Sequence, residues 1–578
     1  MKMSWRDYLN ENALLRVLCR LRAAVARKRT NAHWLWSVAK NLENPDVAIA
    51  DATKGFLPGR RQWIRLPRKI RASFGETRTV EETIYRTARK LLAQKEDGDG
   101  RNGEWQKNFL GLVGDVQALA GSSVLRFHKP TLHLIPKKGG SLRCLASFDE
   151  LAERLLISRA AVYLRDVFDS CLSRTCYAFR ANGDFNYKTA IDDLVRYRMQ
   201  YEGKKLYVAE CDIQSFFDTV NHDVAIAAYD SFVNGLETTQ KPPEQLRKII
   251  EAYLAVYTSR GNLMTAEDER IAERRNLVKP LEETGVGAFY PGKSLDEVAL
   301  GIPQGGALSP LIANLVLSYA DRAVESEKDD ELFYCRFCDD IIIIHPNRKK
   351  CGMAMKRYLE ALTELKLPVH KVKSRFSSYG AKYYETKSKG PFLWASQDDA
   401  KSAMPWVAFL GVHVKYDGQV RVRHDSIDNH VSNLQKELST FMRAVGRNGR
   451  LLKTEKEIES QGRDRRKEEV FKHFQARLVS IGTGYSTIND RKRGSLCWMA
   501  AFPSLTPEGH AAHQMRRLDS MRGKIFSSLK KFLGLEFTKS SEGRRKGFYG
   551  RPYSYYGALI DVERHKSYPP DMDAYSRW

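Results

Sequence analysis

The chain has no apolar run approaching the roughly 20 residues that a bilayer-crossing helix needs, so a soluble protein is expected and a membrane partner is not. Its N-terminus, "MKMSWRDYLNENALLRVLCRLRAAVARK", lacks the apolar core and small-residue cleavage site of a secretory signal. Asp7 and Glu11 fall where transit peptides avoid acids. Nine cysteines, an odd number scattered along 578 residues, make no disulfide framework, which predicts a reducing compartment, by default the cytoplasm. Internal repeats and low-complexity tracts are absent from the pattern. Acids are in deficit: 70 Asp and Glu against 95 Lys and Arg leave a net charge of +25, which suits a polyanion, nucleic acid before a membrane surface. Hydrophobic content of 42% excludes wholesale disorder, and the length predicts about two to four structural units.

Leu14, Leu18, Leu21 and Val25 follow helical spacing with arginines between them, the pattern of a basic amphipathic helix. Polar, breaker-rich stretches at 94–104, 258–285 and 446–469 read as loops or insertions. Before the first, "RRQWIRLPRKIR" (60–71) carries six cations and no acid around Trp63 and Ile64, and phosphate contact is expected there over a merely solvated face. Between the first and third, apolar strands alternate with helical segments such as "MAMKRYLEALTELK" (353–366), which makes an α+β unit. The strands are "KLYVAECDI" (205–213), "LFYCRF" (332–337), "DIIIIHP" (340–346) and "VAFLGVHV" (407–414). Beyond the third stretch, Thr506 as cap and Pro507 at the first helical position predict a helix burying Met515, Leu518, Ile525, Leu529 and Phe532.

"FCDDIIII" sets Asp339 and Asp340 in a tight turn between two strands, the second apolar on both faces. "YVAECDIQSFFDTVNH" puts Asp212 directly after another apolar run. An isolated Asp-Asp is most often a solvated turn. Carboxylates gathered at the ends of buried strands, however, raise one another's pKa and need a compensating cation. Oxygen ligands with no His or Cys nearby suit Mg²⁺, and a two-metal site suits phosphoryl displacement.

From about residue 132 to 425 the chain resembles bacterial reverse transcriptases of the group II intron and antiphage-defence kind. "LHLIPKKGGSLRCLASFDELAERLL" (132–156) and "YAFRANGDFNYKTAIDDL" (177–194) resemble the two fingers motifs. "VAECDIQSFFDTVNH", "GIPQGGALSPLIANLVLSYAD" (301–321) and "YCRFCDDIIIIH" resemble motifs A, B and C, while "LKLPVHKVKSRF" (365–376) and "FLGVHV" (409–414) resemble motif D and the primer grip. The resemblance implies a right-hand polymerase of the α+β class, with fingers, a ferredoxin-like palm, a helical thumb and basic helical extensions at both ends. Its implied boundaries are 1–105 for the N-terminal extension, 106–205 for the fingers and 206–425 for the palm, with an insertion around 226–298. Residues 426–578 would be thumb and C-terminal extension.

By that resemblance Asp212, Asp339 and Asp340 are the catalytic acids. Together with the Ile213 carbonyl they would hold two Mg²⁺ ions, Mn²⁺ being the alternative. Lys137, Lys138 and Arg143 would meet the incoming triphosphate, Gln304 and Gly305 the nucleotide pocket, with Gly305 and Gly306 letting backbone approach the nascent pair. Lys373 would donate a proton to pyrophosphate. Phe217, five residues after Asp212, would clash with a ribose 2′-hydroxyl and favour dNTPs. Arg180, Arg336, Phe337, Leu410 and Gly411 would lie along template and primer. Motif C departs from the usual Tyr-Ala-Asp-Asp as Phe337-Cys338-Asp339-Asp340, and Cys144 stands where group II enzymes usually have proline.

Other signals are weighed and set aside. "GAFYPGKS" (287–294) satisfies the P-loop pattern without the strand it requires. Cys335 and Cys338 lack a second pair, and His510 and His513 lack a carboxylate partner. The tyrosine-rich "RRKGFYGRPYSYYG" (544–557) reads equally as a base-stacking surface and as a loop packed on the thumb, and a Tyr or Ser there is a candidate primer for synthesis. The expected activity is RNA-directed DNA synthesis from dNTPs in antiphage defence on a non-coding RNA template, with a second copy or a partner protein as candidate associates. A group II intron maturase and a catalytically idle scaffold are the alternatives. Template, primer and product sequence are not encoded in the pattern.

Overall fold

The computed structural model describes residues 4–38, 51–67, 70, 76–94, 103–136, 142–259, 281–326, 329–376, 380–446, 465–484, 497–502, 504–506, 509–535 and 552–554. Much of each of the three polar stretches lies outside these residues, as do Arg68, Lys69 and Arg71 of the cationic segment. No helix among the described residues is long and apolar enough to cross a membrane.

The first strands, β1 (Thr131–Pro136) and β2 (Leu142–Ser147), form an antiparallel hairpin. Its register runs unbroken from Thr131↔Ser147 to Pro136↔Leu142, with Cys144 opposite Leu134, so the missing proline leaves the hairpin regular. A five-stranded sheet follows, in the order β4 (Phe333–Phe337), β5 (Asp340–His345), β3 (Leu206–Cys211), β7 (Ser388–Trp394), β6 (Val372–Lys373). It is antiparallel except for the β6–β7 pair. A smaller sheet joins β8 (Trp406–Phe409), β9 (Val412–Lys415) and β10 (Val420–Val422). Sequence reading made 407–414 one strand; instead Leu410 and Gly411, at φ 44° and 84°, reverse the chain in a two-residue turn of the left-handed kind that hairpins favour.

The isoleucines of β5 divide between two cores. Ile341 and Ile343 pack with Ala209, Cys211 and the helices Ser309–Glu325 and Arg348–Glu364, whereas Ile342 and Ile344 pack with Leu206, Val208, Trp394 and the β8–β10 sheet. A strand buried on both faces reads as a continuous apolar run for this reason. Leu14 and Leu18 of the helix Glu11–Val38 join the first core, while Met515, Leu518, Ile525 and Leu529 of the helix Gly509–Leu533 are buried as expected. Phe532 is exposed. Thr506 is not a cap: it exchanges hydrogen bonds with the Val420 backbone and ties the chain to β10.

Arg336 on β4 corrects an expectation. Its side chain is 0% exposed, so it cannot lie along template or primer. The guanidinium forks onto Asp321, Nε donating to Oδ1 at 2.7 Å and Nη2 to Oδ2 at 2.6 Å, while Nη1 donates to Asn314 Oδ1 and to the Cys338 carbonyl. Its backbone bonds to Thr175 and Tyr177. One buried cation thus ties together the helix Ser309–Glu325, the segment around 175–177 and the turn that carries Asp339.

Breaking this pair leaves an uncompensated buried charge. Arg336→Met is expected to cost about 3–5 kcal/mol in chemical unfolding, and Arg336→Met with Asp321→Leu to recover part of it. A loss below about 1 kcal/mol in the single variant would contradict this account.

Candidate active site

The register of β3 with β5 runs from Tyr207↔His345 to Cys211↔Ile341, so Asp212 follows the last β3 residue and Asp340 precedes its partner, and the charge of Asp212 acts on Asp340. Because Phe337 pairs with Asp340, only Cys338 and Asp339 form the β4–β5 turn. Cys338 takes φ 59°, a left-handed conformation that costs a non-glycine residue about 1–2 kcal/mol. The buried strands on either side hold it there.

The three acids act on one another's charge. Burial raises the Asp339 carboxyl above its usual range, with Asp212's charge adding to the effect. Burial also raises the Asp340 carboxyl, with the charges of Asp339 and Asp212 adding. By surface area Asp340 is open to solvent, yet protein atoms crowd around it. The two facts together describe a carboxyl crowded by protein on one side and open on the other, raised first by burial and then by the two neighbouring carboxylates.

Asp212 is fixed through its backbone: its N–H donates to Ser388 Oγ at 3.0 Å and its carbonyl accepts from the His370 N–H at 3.1 Å. Ile213 sits opposite Val369, and the flanking bonds, His370 N–H to Asp212 and Gln214 N–H to Pro368, do not use Ile213's own carbonyl. Three carboxylates and a backbone oxygen, with no nitrogen or sulfur ligand, fit a hard divalent cation. Among the described residues, the group whose ligand atoms all lie within 4.8 Å of one another is Asp329, Glu331 and His345; Asp212, Asp339 and Asp340 do not close up that far without an ion to draw them together. In the first group His345 Nδ1 accepts the Asn347 N–H, its Nε2 faces Asp329 at 3.1 Å, and Asp329 also pairs with Lys350, so the network is already satisfied.

Cations rim the acids. Arg143, exposed on β2, lowers the Asp339 carboxyl, and Lys387 and Arg423 lower that of Asp340. Lys387 Nζ lies 3.1 Å from Asp212 Oδ2. Sequence reasoning missed Lys387, Ser388 and Arg423, which fall outside the recognised motifs. The alternating "KSK" that leads into "GPFLW" is the signal that could have found the first two. Lys373 is exposed on the short β6, paired beside Lys389; the lysine that meets Asp212 is Lys387. Lys137 and Lys138 lie outside the described residues.

The helical turn Phe216–Thr219 follows Ser215, which is left-handed at φ 48°. Phe216 enters the core, while Phe217 stays half-buried with its ring 5.3 Å from that of Phe216. Gln304 donates to Asp218 Oδ1 at 3.3 Å and accepts the Ala146 N–H at 2.8 Å, which docks β2 on this segment. The partners of the two glycines are protein: a Cβ on Gly305, at φ 94°, would stand 3.3 Å from the Ala146 carbonyl, and one on Gly306 would stand 1.8 Å from the Tyr253 hydroxyl. Phe337 and Leu410 are half-buried, and Gly411 accepts the Arg423 N–H.

Two further expectations are corrected. Arg180 is buried and spent on protein, donating to Asp169 and to the carbonyls of Ser173 and Cys176, so it does not face template. Tyr553 is buried with its hydroxyl 2.7 Å from His430 Nε2 and its N–H on Asp519, which leaves it unable to stack a base or prime synthesis. Tyr549, Tyr555 and Tyr556 lie outside the described residues. "GAFYPGKS" forms a 3₁₀ turn, Val286–Phe289, and not the strand–loop–helix of a P-loop.

Residues 135–414, just under half the chain, match the family model described as reverse transcriptase (RNA-dependent DNA polymerase). A putative COX1/OXI3 intron 1 protein from Saccharomyces cerevisiae is 21% identical over 326 residues, 56% of this chain but 30% of that protein. Among solved structures, an apo telomerase from Candida tropicalis overlaps 91% of this chain and 85% of its own at 11% identity and a TM-score of 0.36. A Candida albicans telomerase with a TWJ fragment of telomeric RNA overlaps 83% and 77% at 11% identity and 0.31. The five-stranded sheet and the three acids at its strand ends lie within residues 135–414, the part of the chain that is similar to the reverse transcriptase model.

Proposed function

We propose that Asp212, Asp339, Asp340 and the Ile213 carbonyl hold two Mg²⁺ ions and that this site joins dNTPs to a primer on an RNA template. The observation that carries the reading is the β3–β5 register, which brings the end of β3, followed by Asp212, to the start of β5 beside the turn bearing Asp339, where the three charges act on one another. When bound, the ions supply charge stabilisation to the attacking hydroxyl and to the departing pyrophosphate. The chain's own residues do the rest. Arg143 and Arg423 neutralise phosphate charge that would oppose the primer's approach. Phe217 closes the space beside the sugar, and Gln304, held by Asp218 and Ala146, fixes the pocket wall. Residues 106–205 serve as fingers, 206–425 as palm and 426–578 as thumb and extension, with the basic N-terminal 1–105 as a further nucleic-acid contact.

Two settings suit this chemistry. The likeness to a yeast intron 1 protein favours an intron setting. The strongly basic chain flanking residues 135–414 suits antiphage defence on a small non-coding RNA. Sequencing the RNA that co-purifies with the protein separates them: intron sequence supports the first, a short recurrent transcript the second.

In primer extension, Asp339→Asn is expected to lower dNTP incorporation by at least about 100-fold. Equal incorporation by mutant and wild type would end the enzymatic reading of this site. Phe217→Ala is expected to raise the efficiency of ribonucleotides relative to deoxyribonucleotides by about tenfold or more, read as a ratio of kcat/KM values. No change in that ratio would remove Phe217 from sugar selection.

A pH dependence follows from the raised Asp340 carboxyl. A carboxyl with its folded pKa above the unfolded value of about 3.9 adds stability at low pH and loses it as pH climbs through the folded pKa. In chelator, the melting temperature of Asp340→Asn is therefore expected to gain on wild type as pH rises from about 4 through the raised folded pKa, and Mg²⁺ to narrow the difference. A flat difference across that range would show that Asp340 feels no such crowding.

A further inference from the structure

Two lysines face two acids across the palm sheet. Lys389 of β7 pairs with Glu210 of β3, and Lys387, one residue before β7, pairs with Asp212, one residue after β3. The inner rung is locked: Lys389 stands opposite Glu210 in the register, with its Nζ 2.5 Å from Glu210 Oε2 and 5.1 Å from the centre of the Tyr383 ring, all buried. The outer rung is open. Lys387 reaches Asp212 Oδ2 at 3.1 Å while 63% of its side chain remains exposed.

We propose that Lys387 is the resident counter-cation of the acid cluster, occupying Asp212 while no divalent ion is bound and giving way when one binds. The proposal rests on the reading of Asp212 as a metal ligand. Three neighbouring carboxylates need positive charge whether or not metal is present. A lysine suits an exchangeable role: its ammonium is strongly hydrated and sits on a flexible stem, whereas an arginine would grip the carboxylate with a planar fork. Exposure gives Lys387 water to return to, which Lys389 lacks. Lysine and metal then compete for one carboxylate, so the cluster is never left bare and the metal affinity is tempered.

The test is Mn²⁺ binding to the full-length protein, followed by calorimetry after chelator treatment, with melting temperatures alongside. Lys387→Met is expected to bind Mn²⁺ more tightly, by up to about fivefold for so exposed a pair. Its metal-free melting temperature should fall and its metal-induced rise should grow. Lys387→Arg should bind no more tightly than wild type. Affinity unchanged or weakened in Lys387→Met overturns the proposal. So does an equal gain in Arg423→Met, which would trace the effect to the general field of cations and not to competition at Asp212. Asp212→Asn separates the two layers: if it leaves Mn²⁺ binding intact, the metal-ligand reading fails with everything built on it. If it weakens binding while Lys387→Met changes nothing, the lysine proposal alone fails.

Discussion

Three carboxylates within reach of one another repel, and the chain answers that repulsion with rigidity. Asp339 sits in a two-residue turn whose strands are pinned from behind by Arg336, buried and forked onto Asp321 while it also holds the Cys338 carbonyl. The cation does not neutralise the clustered acids; it fixes the backbone that presents them. Removing water from such a pair is costly, and excellent geometry is what makes it tolerable. Both Arg336 and Asp321 are 0% exposed, and Tyr334 adds a third hydrogen bond to the same carboxylate.

The two cores complete this rigidity. Since successive isoleucines of β5 face opposite sides, a shift of the strand by one residue would exchange the two sets and turn Asp340 toward the helices. The register is therefore over-determined, and with it the meeting of Asp212 and Asp340. The strained Cys338 follows from the same constraint: a turn of two residues between strands held this firmly has no looser conformation to relax into.

Much of this was legible in the sequence. "IIII" announced a strand buried on both faces, and the paired acids after apolar runs announced a site at the strand ends. Position along the chain was misleading for arginines. Arg180 and Arg336 lie inside recognised motifs and so read as nucleic-acid contacts, yet each is consumed by an aspartate, Asp169 and Asp321, 11 and 15 residues away. Nothing in a one-dimensional pattern distinguishes an arginine that meets phosphate from one that meets a carboxylate folded beneath it. "VAFLGVHV" misled for a related reason, because the left-handed turn at Leu410 and Gly411 interrupts an apolar run that alternation alone would continue.

Net charge says little by itself about where the excess lies. Arg336, Arg180 and Lys389 are each paired with an acid that the +25 already subtracts, so the excess that a polyanion meets is carried by other cations. Among the described residues, Arg143, Lys387 and Arg423 are each close enough to act on an acid of the cluster, and each lies on a different strand or loop: β2, the approach to β7, and the residue after β10. They ring the acids from three sides of the fold. A cleft with negative charge at its floor and positive charge at its rim can draw a polyphosphate and a divalent cation into the same space, where either alone would be held less well.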